Sequence, residues 1–266
     1  MWNRVRIWLK SPAVIRRRKL LNALAQFGPW MIPLRLGWAR LANIFWSYLP
    51  DSYTTFGEHS EFRPLFARFA RHNKPNNAGD SARLWALVLN IKQVIEEGVE
   101  GEFAELGVWR GNTAAVLAHF ALSARRTVYL FDTFTGFDQR DISSVDSNVR
   151  PSFSNTSVAM AQDVIGPGWK ACRVVAGYFP DSVGPEHEAN RYSIVSIDCD
   201  LYEPMKAGLD FFYPRMPIGG LLMLHDYSSL HWPGVKQAID EFCAATGENA
   251  ILMPDKSGSA FIRRAR

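Results

Sequence analysis

Cysteine is scarce in this chain, acid is missing from its first fifty residues, and no apolar run is long and unbroken enough to read as a membrane-spanning helix. The three cysteines, Cys172, Cys199 and Cys243, include no Cys-x-x-Cys pair. An odd number of separated thiols argues against a disulfide framework and fits a reducing compartment, so a cytoplasmic protein is expected. There is no compact apolar segment followed by a small-residue cleavage site, hence no secretory signal in the pattern. Gly-x-Gly-x-x-Gly is absent as well, which argues against a nicotinamide-dependent oxidoreductase. No internal repeat or low-complexity tract is visible.

The charge is unevenly placed. Residues 1–50 hold nine Lys or Arg and no Asp or Glu, while residues 51–266 hold the other 21 basic residues and all 26 acidic ones, a balance of −5. The larger part is therefore a poor electrostatic match to nucleic acid. The basic part carries Trp2, Trp8, Trp30, Trp38 and Trp46 and is interrupted at Pro12, Pro29, Pro33 and Pro50. Two readings of it stand. It is an interfacial segment resting on anionic lipid at the inner face of a membrane, or a set of helices packing on the body or on a second copy of the chain, with the basic residues solvated. A transit peptide is a weaker third reading. The expected division is a basic, Trp-rich helical extension over 1–57 and a single larger domain over 58–266.

In that domain a helix is expected from Asp80, as N-cap, to Gly98, as C-cap, with Leu84, Leu87, Val88, Ile91, Val94 and Ile95 along one face. From Phe103 onward strands and helices alternate. Strands are expected at 103–107, 127–131, 172–176, 193–198, 220–225, 249–253 and 259–263, and helices at 111–123, 155–165, 202–212 and 233–246. Such alternation implies an α/β fold with a mostly parallel sheet covered by helices on both faces. The short turn at 255–258 makes the last strand antiparallel.

Four strand ends carry the chemistry. Glu105-Leu-Gly-Val-Trp-Arg-Gly111 runs from a strand through a glycine turn to a helix N-terminus, where backbone N–H groups can meet an anionic ligand group. Asp132 stands 25 positions after Gly107, at the end of the next strand, where an acid can accept the hydroxyls of a ribose. Ile197-Asp-Cys-Asp-Leu-Tyr-Glu203 places Asp198 and Asp200 between a strand and a helix. Such a pair can hold a divalent cation, divide the roles of metal ligand and proton acceptor, or simply cap the helix. A further strand ends in His225 and Asp226, beside Asp198 if the sheet is parallel. An imidazole with two carboxylates suits Mg²⁺ less well than three carboxylates, and His225 is equally a candidate general base. The long polar stretch after Asp132, through Asn155, reads as a lid facing an acceptor.

Taken together, Glu105–Gly111, Phe131-Asp-Thr-Phe-Thr-Gly136, Asp198-Cys-Asp-Leu-Tyr-Glu203 and Asp226-Tyr227 followed by Pro233–Phe242 resemble the macrocin and mycinamicin O-methyltransferases, a family of class I enzymes dependent on S-adenosylmethionine. The likeness covers about Gly101 to Phe242 and leaves the first fifty residues outside it. It implies a Rossmann-like methyltransferase sheet and O-methylation of a hydroxyl, commonly of a sugar in a glycan, glycolipid or glycosylated natural product. It implies that Glu105, Gly107 and Gly111 surround the methionine end of the cofactor and that Asp132 binds its ribose. Val108, Asn112, Thr113 and Thr133, in the same motifs, complete the expected cofactor-binding set. It also implies Mg²⁺ on Asp198 and Asp226, with Asp200 as general base. Where macrolide-type members carry a third Asp, this chain has His225. Two forms of the chemistry therefore stand: Mg²⁺ held by Asp198, His225 and Asp226, or metal-free catalysis with His225 as base. The alternative to an enzyme is a catalytically silent cofactor-binding or scaffold protein in envelope-glycan assembly.

Overall fold

The computed structural model describes residues 62–142, 144–150 and 152–265. The chain divides into two compact units, Met1–Ser52 and Tyr53–Arg266, and the described residues belong to the second. The basic extension expected over 1–57, with its lipid-facing and packing readings, lies outside the described residues.

Three helices precede the sheet: α1 (Phe62–Phe69), α2 (Lys74–Asn77) and α3 (Ser81–Glu96). The side chain of Asp80 caps α3 by accepting from the Arg83 N–H, and the helix stops at Glu97, with Gly98 following at φ +69°. Strands and helices then alternate as β1 (Glu102–Leu106), α4 (Asn112–Ala124), β2 (Val128–Asp132), α5 (Val158–Ile165), β3 (Cys172–Ala176), α6 (Pro185–Ala189), β4 (Tyr192–Ile197), α7 (Tyr202–Phe212), β5 (Leu221–Leu224), α8 (Pro233–Thr246), β6 (Ile251–Leu252) and β7 (Ala260–Arg263). Every strand and helix expected from Phe103 onward is present. Helix α5 starts three residues later than expected because Ser157 caps it, its side chain accepting from the Met160 N–H. Strand β6 is cut to two exposed residues at the sheet edge. The three cysteines are free, and no helix among the described residues is long and apolar enough to cross a membrane.

The seven strands lie in the order β3-β2-β1-β4-β5-β7-β6. All neighbours from β3 to β5 are parallel, and β7 runs antiparallel to both β5 and β6. Because side chains alternate across a strand, each central strand buries two sets. Leu106, Phe131, Ile197 and Leu224 pack with Met205, Leu209 and Phe212 of α7 and with Val235 and Ile239 of α8. Phe103, Leu130 and Ile194 are buried on the opposite face, where α3 and α4 meet the sheet. Large side chains buried this fully are each worth about 1.5–3 kcal/mol, so the sheet carries much of the core of the described residues. Its hydrogen-bond ladder runs one residue past the strands: Gly107 N donates to Phe131 O, Asp198 N to Leu106 O, and His225 N to Ile197 O, at 2.8–3.0 Å. The residues that follow the strands are thereby held at a common level.

The segment after β2 folds back over this level and is anchored by Asp146, which is 1 % exposed. Its Oδ2 accepts from the Tyr202 N–H at 2.7 Å, at the start of α7, and the Gly234 amide at the start of α8 lies beside it. One carboxylate thus serves two helix N-termini, where negative charge is favoured. A Cβ at Gly234 would lie 2.4 Å from the same oxygen. Burial raises the Asp146 pKa and the two amides oppose the rise. Asp146→Ala, which strands buried amide donors, should cost about 1–3 kcal/mol in urea unfolding and speed proteolytic cleavage of the 133–157 segment. Gly234→Ala should do the same by displacing the carboxylate. Stability of both variants within a few tenths of a kcal/mol of the parent would contradict the anchoring role.

Candidate active site

A cleft of about 770 Å³ lies where β1, β2, β4 and β5 end. Crevices at the carboxyl ends of parallel strands are where α/β sheets bind ligands. Glu105, Gly107, Val108, Asn112, Thr113, Asp132, Thr133, Asp198, Asp200, His225 and Asp226 all line it. Of the expected site residues only Gly111 is absent from the lining. It caps α4 from the left-handed region, at φ +80°.

Gly107 is required where it stands. At φ +86° a Cβ would lie 2.0 Å from the carbonyl oxygen of Asp198, so the turn after β1 can pass the end of β4 only without a side chain. The turn is held from the other side by Asp132. Its Oδ2 accepts from the Val108 and Trp109 N–H groups at 2.7 and 2.8 Å, and its Oδ1 accepts from the Phe134 N–H at 2.6 Å. A carboxylate has about four acceptor sites. Three of those on Asp132 are in use. Glu105 is buried beside the turn. Burial, and after it the charge of Asp198, push its pKa well above the usual carboxylate range. Its Oε2 and the Oδ1 of Asn112 are buried without a hydrogen-bond partner. Two other expected ligand-binding side chains are engaged elsewhere. The Asn112 amide nitrogen donates to the Arg68, Phe69 and Arg71 carbonyls at the end of α1. The Thr133 hydroxyl donates to Gly136 O.

The charged centre comes from β4, β5 and α3. His225 Nδ1 is 2.8 Å from Asp198 Oδ1 and in contact with Asp226 Oδ2. Arg83 reaches the other oxygen of Asp198, with Nη2 at 3.2 Å from Oδ2. Burial and the Arg83 charge press the His225 pKa down, but Asp198 and Asp226 outweigh them and raise it to about 10. Burial would raise Asp198, yet His225 and Arg83 prevail and hold it below its ordinary value. Asp200 is the reverse case. Burial first, then the charges of Asp198 and Asp226, push it well above the usual range, and it hydrogen-bonds Asp226. Four cleft residues with side chains stand in the left-handed backbone region: Trp109 at φ +45°, Phe153 at +63°, Asp200 at +62° and Asp226 at +58°. Such conformations cost about 1–3 kcal/mol each and gather at functional sites.

Asp198, His225 and Asp226 each offer an atom within 4.8 Å of the other two. As a donor set for Mg²⁺ they do not fit. A hard cation seeks oxygens. Here both oxygens of Asp198 already face cationic groups, and the third donor is an imidazole nitrogen that serves as the proton-bearing partner of two carboxylates.

Aromatic side chains wall the cleft. Phe153 makes an edge contact with Trp109 at 5.5 Å and packs with Phe137 at 5.2 Å, and Phe137 meets Trp232 at 5.8 Å. Phe137 and Phe153 belong to the segment expected as a lid, which Trp109 Nε1 also fastens by donating to Asn155 Oδ1. Arg83, Asn77 and Asp146 were not among the expected site residues. Arg83 did leave a signal: it stands four residues before Leu87 and eight before Ile91, on the stripe of α3 that is buried.

A family model described as macrocin O-methyltransferase (TylF) matches residues 75–263. The 8-demethyl-8-(2,3-dimethoxy-α-L-rhamnosyl)-tetracenomycin-C 4′-O-methyltransferase of Streptomyces olivaceus is 30% identical over 159 residues, 55% of this chain and 60% of that protein. The mycinamicin III 3″-O-methyltransferase of Micromonospora griseorubida is 28% identical over 191 residues, 66% of this chain and 73% of that protein. The chain thus spans less than two thirds of the first relative's length. Among solved structures, the O-methyltransferase NovP superposes with a TM-score of 0.59 at 23% identity, over 70% of this chain and 80% of its own, which establishes a common fold.

Asp200→Asn tests the electrostatics of the centre. Asparagine keeps the shape and tolerates the left-handed backbone, while the repulsion from Asp198 and Asp226 disappears. The melting temperature should stay level or rise by a few degrees, about 1 kcal/mol. A fall of more than about 5 °C would mean that the acid itself supports the fold.

Proposed function

The chain belongs to the macrocin O-methyltransferase family, and from that premise we propose that it transfers the methyl group of S-adenosylmethionine to a sugar hydroxyl of a small glycosylated compound. Membership of the family implies the cofactor. The observation that carries the reading is the convergence of Asp132, Asp198, Asp200 and Asp226 in one cleft at the ends of parallel strands. The relatives' names, a 4′-O-methyltransferase of a rhamnosyl-tetracenomycin and a 3″-O-methyltransferase of mycinamicin III, support the acceptor class. So do the aromatic walls, since ligand sites pair apolar surface with a few placed polar groups.

When bound, S-adenosylmethionine supplies an electrophilic methyl on a sulfonium. The chain's part is to hold it, to place a hydroxyl in line, and to take the hydroxyl's proton. The buried Glu105, with an unpaired oxygen, suits the ammonium of the methionine end. Gly107 and Val108 shape the turn beside the same end, and the α4 N-terminus, capped by Gly111, offers the backbone N–H groups of Asn112 and Thr113 there. Asp132 retains one acceptor site for the ribose, and the Thr133 turn follows it. Positioning two reactants supplies much of the rate in such a transfer.

Asp200 accepts the proton at a carboxylate oxygen. It lines the cleft, while His225 and Arg83 are committed to Asp198 and Asp226. Its raised pKa makes it a stronger base than a solvated carboxylate. His225, the other expected base, serves as the cationic partner of Asp198 and Asp226. No step is assigned to Mg²⁺, whose oxygen preference the donor set does not meet.

Isothermal titration with S-adenosylhomocysteine should show one site, weakened by Asp132→Ala. Incubation with S-adenosylmethionine and a panel of 6-deoxysugar glycosides should yield a methylated product by mass spectrometry. Asp200→Asn should cut turnover about 10²–10⁴-fold with cofactor affinity unchanged. Absence of binding to either cofactor form would overturn the proposal, and binding without turnover on any hydroxyl acceptor would favour the scaffold reading.

A further inference from the structure

Arg83 is a buried arginine held by four different elements. Its Nη2 donates to Thr113 Oγ1 at 3.0 Å and to Asp198 Oδ2 at 3.2 Å. Its Nη1 lies 3.5 Å from Asn77 Oδ1, and its guanidinium carbon is 5.5 Å from the centre of the Phe69 ring. Asn77 is itself fixed, its amide donating to Phe69 O at 2.8 Å. The helix α3 that carries Arg83 is capped by Asp80 through the Arg83 backbone N–H. An arginine left over in a protein interior would not have acquired partners from α1, α2, α4 and the end of β4. The arrangement places a permanent positive charge on one oxygen of Asp198 and inside the cleft.

A divalent cation in such a cleft would serve two purposes: to neutralise the gathered carboxylates, and to present positive charge to an oxygen that becomes anionic. A guanidinium can do both without titrating and without being lost to a chelator. We infer that Arg83 is the built-in cation of this site, set on the Oδ2 of Asp198, one of the three residues that could ligate a metal ion, so that the chain needs no divalent metal and excludes one while Arg83 is in place. The inference rests on the methyl-transfer reading for the use of the charge, but not for its presence.

The full-length protein is titrated with Mn²⁺, and free Mn²⁺ is read by electron paramagnetic resonance, with no turnover involved. The parent protein should bind no stoichiometric Mn²⁺ at millimolar concentration. Arg83→Met, which uncovers Asp198, should bind about one ion at least tenfold more tightly than the parent, an effect of about 1.4 kcal/mol or more. Arg83→Lys, which keeps the charge, should behave as the parent. Asp198→Asn in the Arg83→Met background should abolish the new site, which shows where it lies. One Mn²⁺ bound by the parent and lost in Asp198→Asn would overturn the inference, even if Arg83→Met failed to fold. Equal, weak binding by the parent and a folded Arg83→Met protein would overturn it as well. Separately, failure of S-adenosylhomocysteine to bind would remove the methyl-transfer reading and leave this metal result standing.

Discussion

Asp198 sits between two cations drawn from opposite ends of the domain's chain: Arg83, 115 residues earlier on α3, and His225 on the next strand of the sheet. At 3.2 Å and an effective dielectric of about 20, the attraction to Arg83 is roughly 5 kcal/mol, and withdrawing both groups from water takes back much of it. The pair is therefore better understood as a device of position than as a source of stability. It ties α3 to the carboxyl end of β4 and, against the effect of burial, it helps His225 hold Asp198 below its ordinary pKa. Burial and the charges of Asp198 and Asp226 push Asp200 above its own.

This arrangement stands on a closely packed sheet. The central strands are buried on both faces, and their ladder extends into the first residues of the cleft. That footing lets the backbone hold Trp109, Phe153, Asp200 and Asp226 in conformations that side chains rarely adopt. The packing supports the strain, and the strain aims the side chains. Asp132 and Asp146 do comparable work with hydrogen bonds, one fastening the glycine turn and the other the segment above the cleft.

How much of this was legible in the sequence follows from how local each cause is. Strands buried on both faces read as apolar runs, such as Tyr192–Ile197 and Leu221–Leu224, each ending in an acid or histidine, so the sheet and the level of the site could be placed. Asp80 and Gly98 marked the ends of α3 by their chemistry alone. The antiparallel β7 followed from the short turn before it. Partnerships across long sequence distances were not legible. Asp146 looked like one acid in a polar stretch, because the helix N-termini it serves begin at Tyr202 and Pro233. Asp132 was recognised as a strand-end acid, but its occupation by three backbone amides depends on how the turn folds. His187 looked like a polar-loop residue. It is buried, accepts from the Gly184 N–H and packs edge-on against Tyr129 and Phe131.

A crystal structure of the protein grown with S-adenosylhomocysteine and Mn²⁺, with data collected at the manganese edge, tests the account most directly. The account predicts S-adenosylhomocysteine between the Gly107 turn and Asp132, the Arg83 guanidinium still on Asp198, and no anomalous peak beside Asp198 or Asp226. A manganese peak shared by those two carboxylates, with Arg83 turned away, would contradict it.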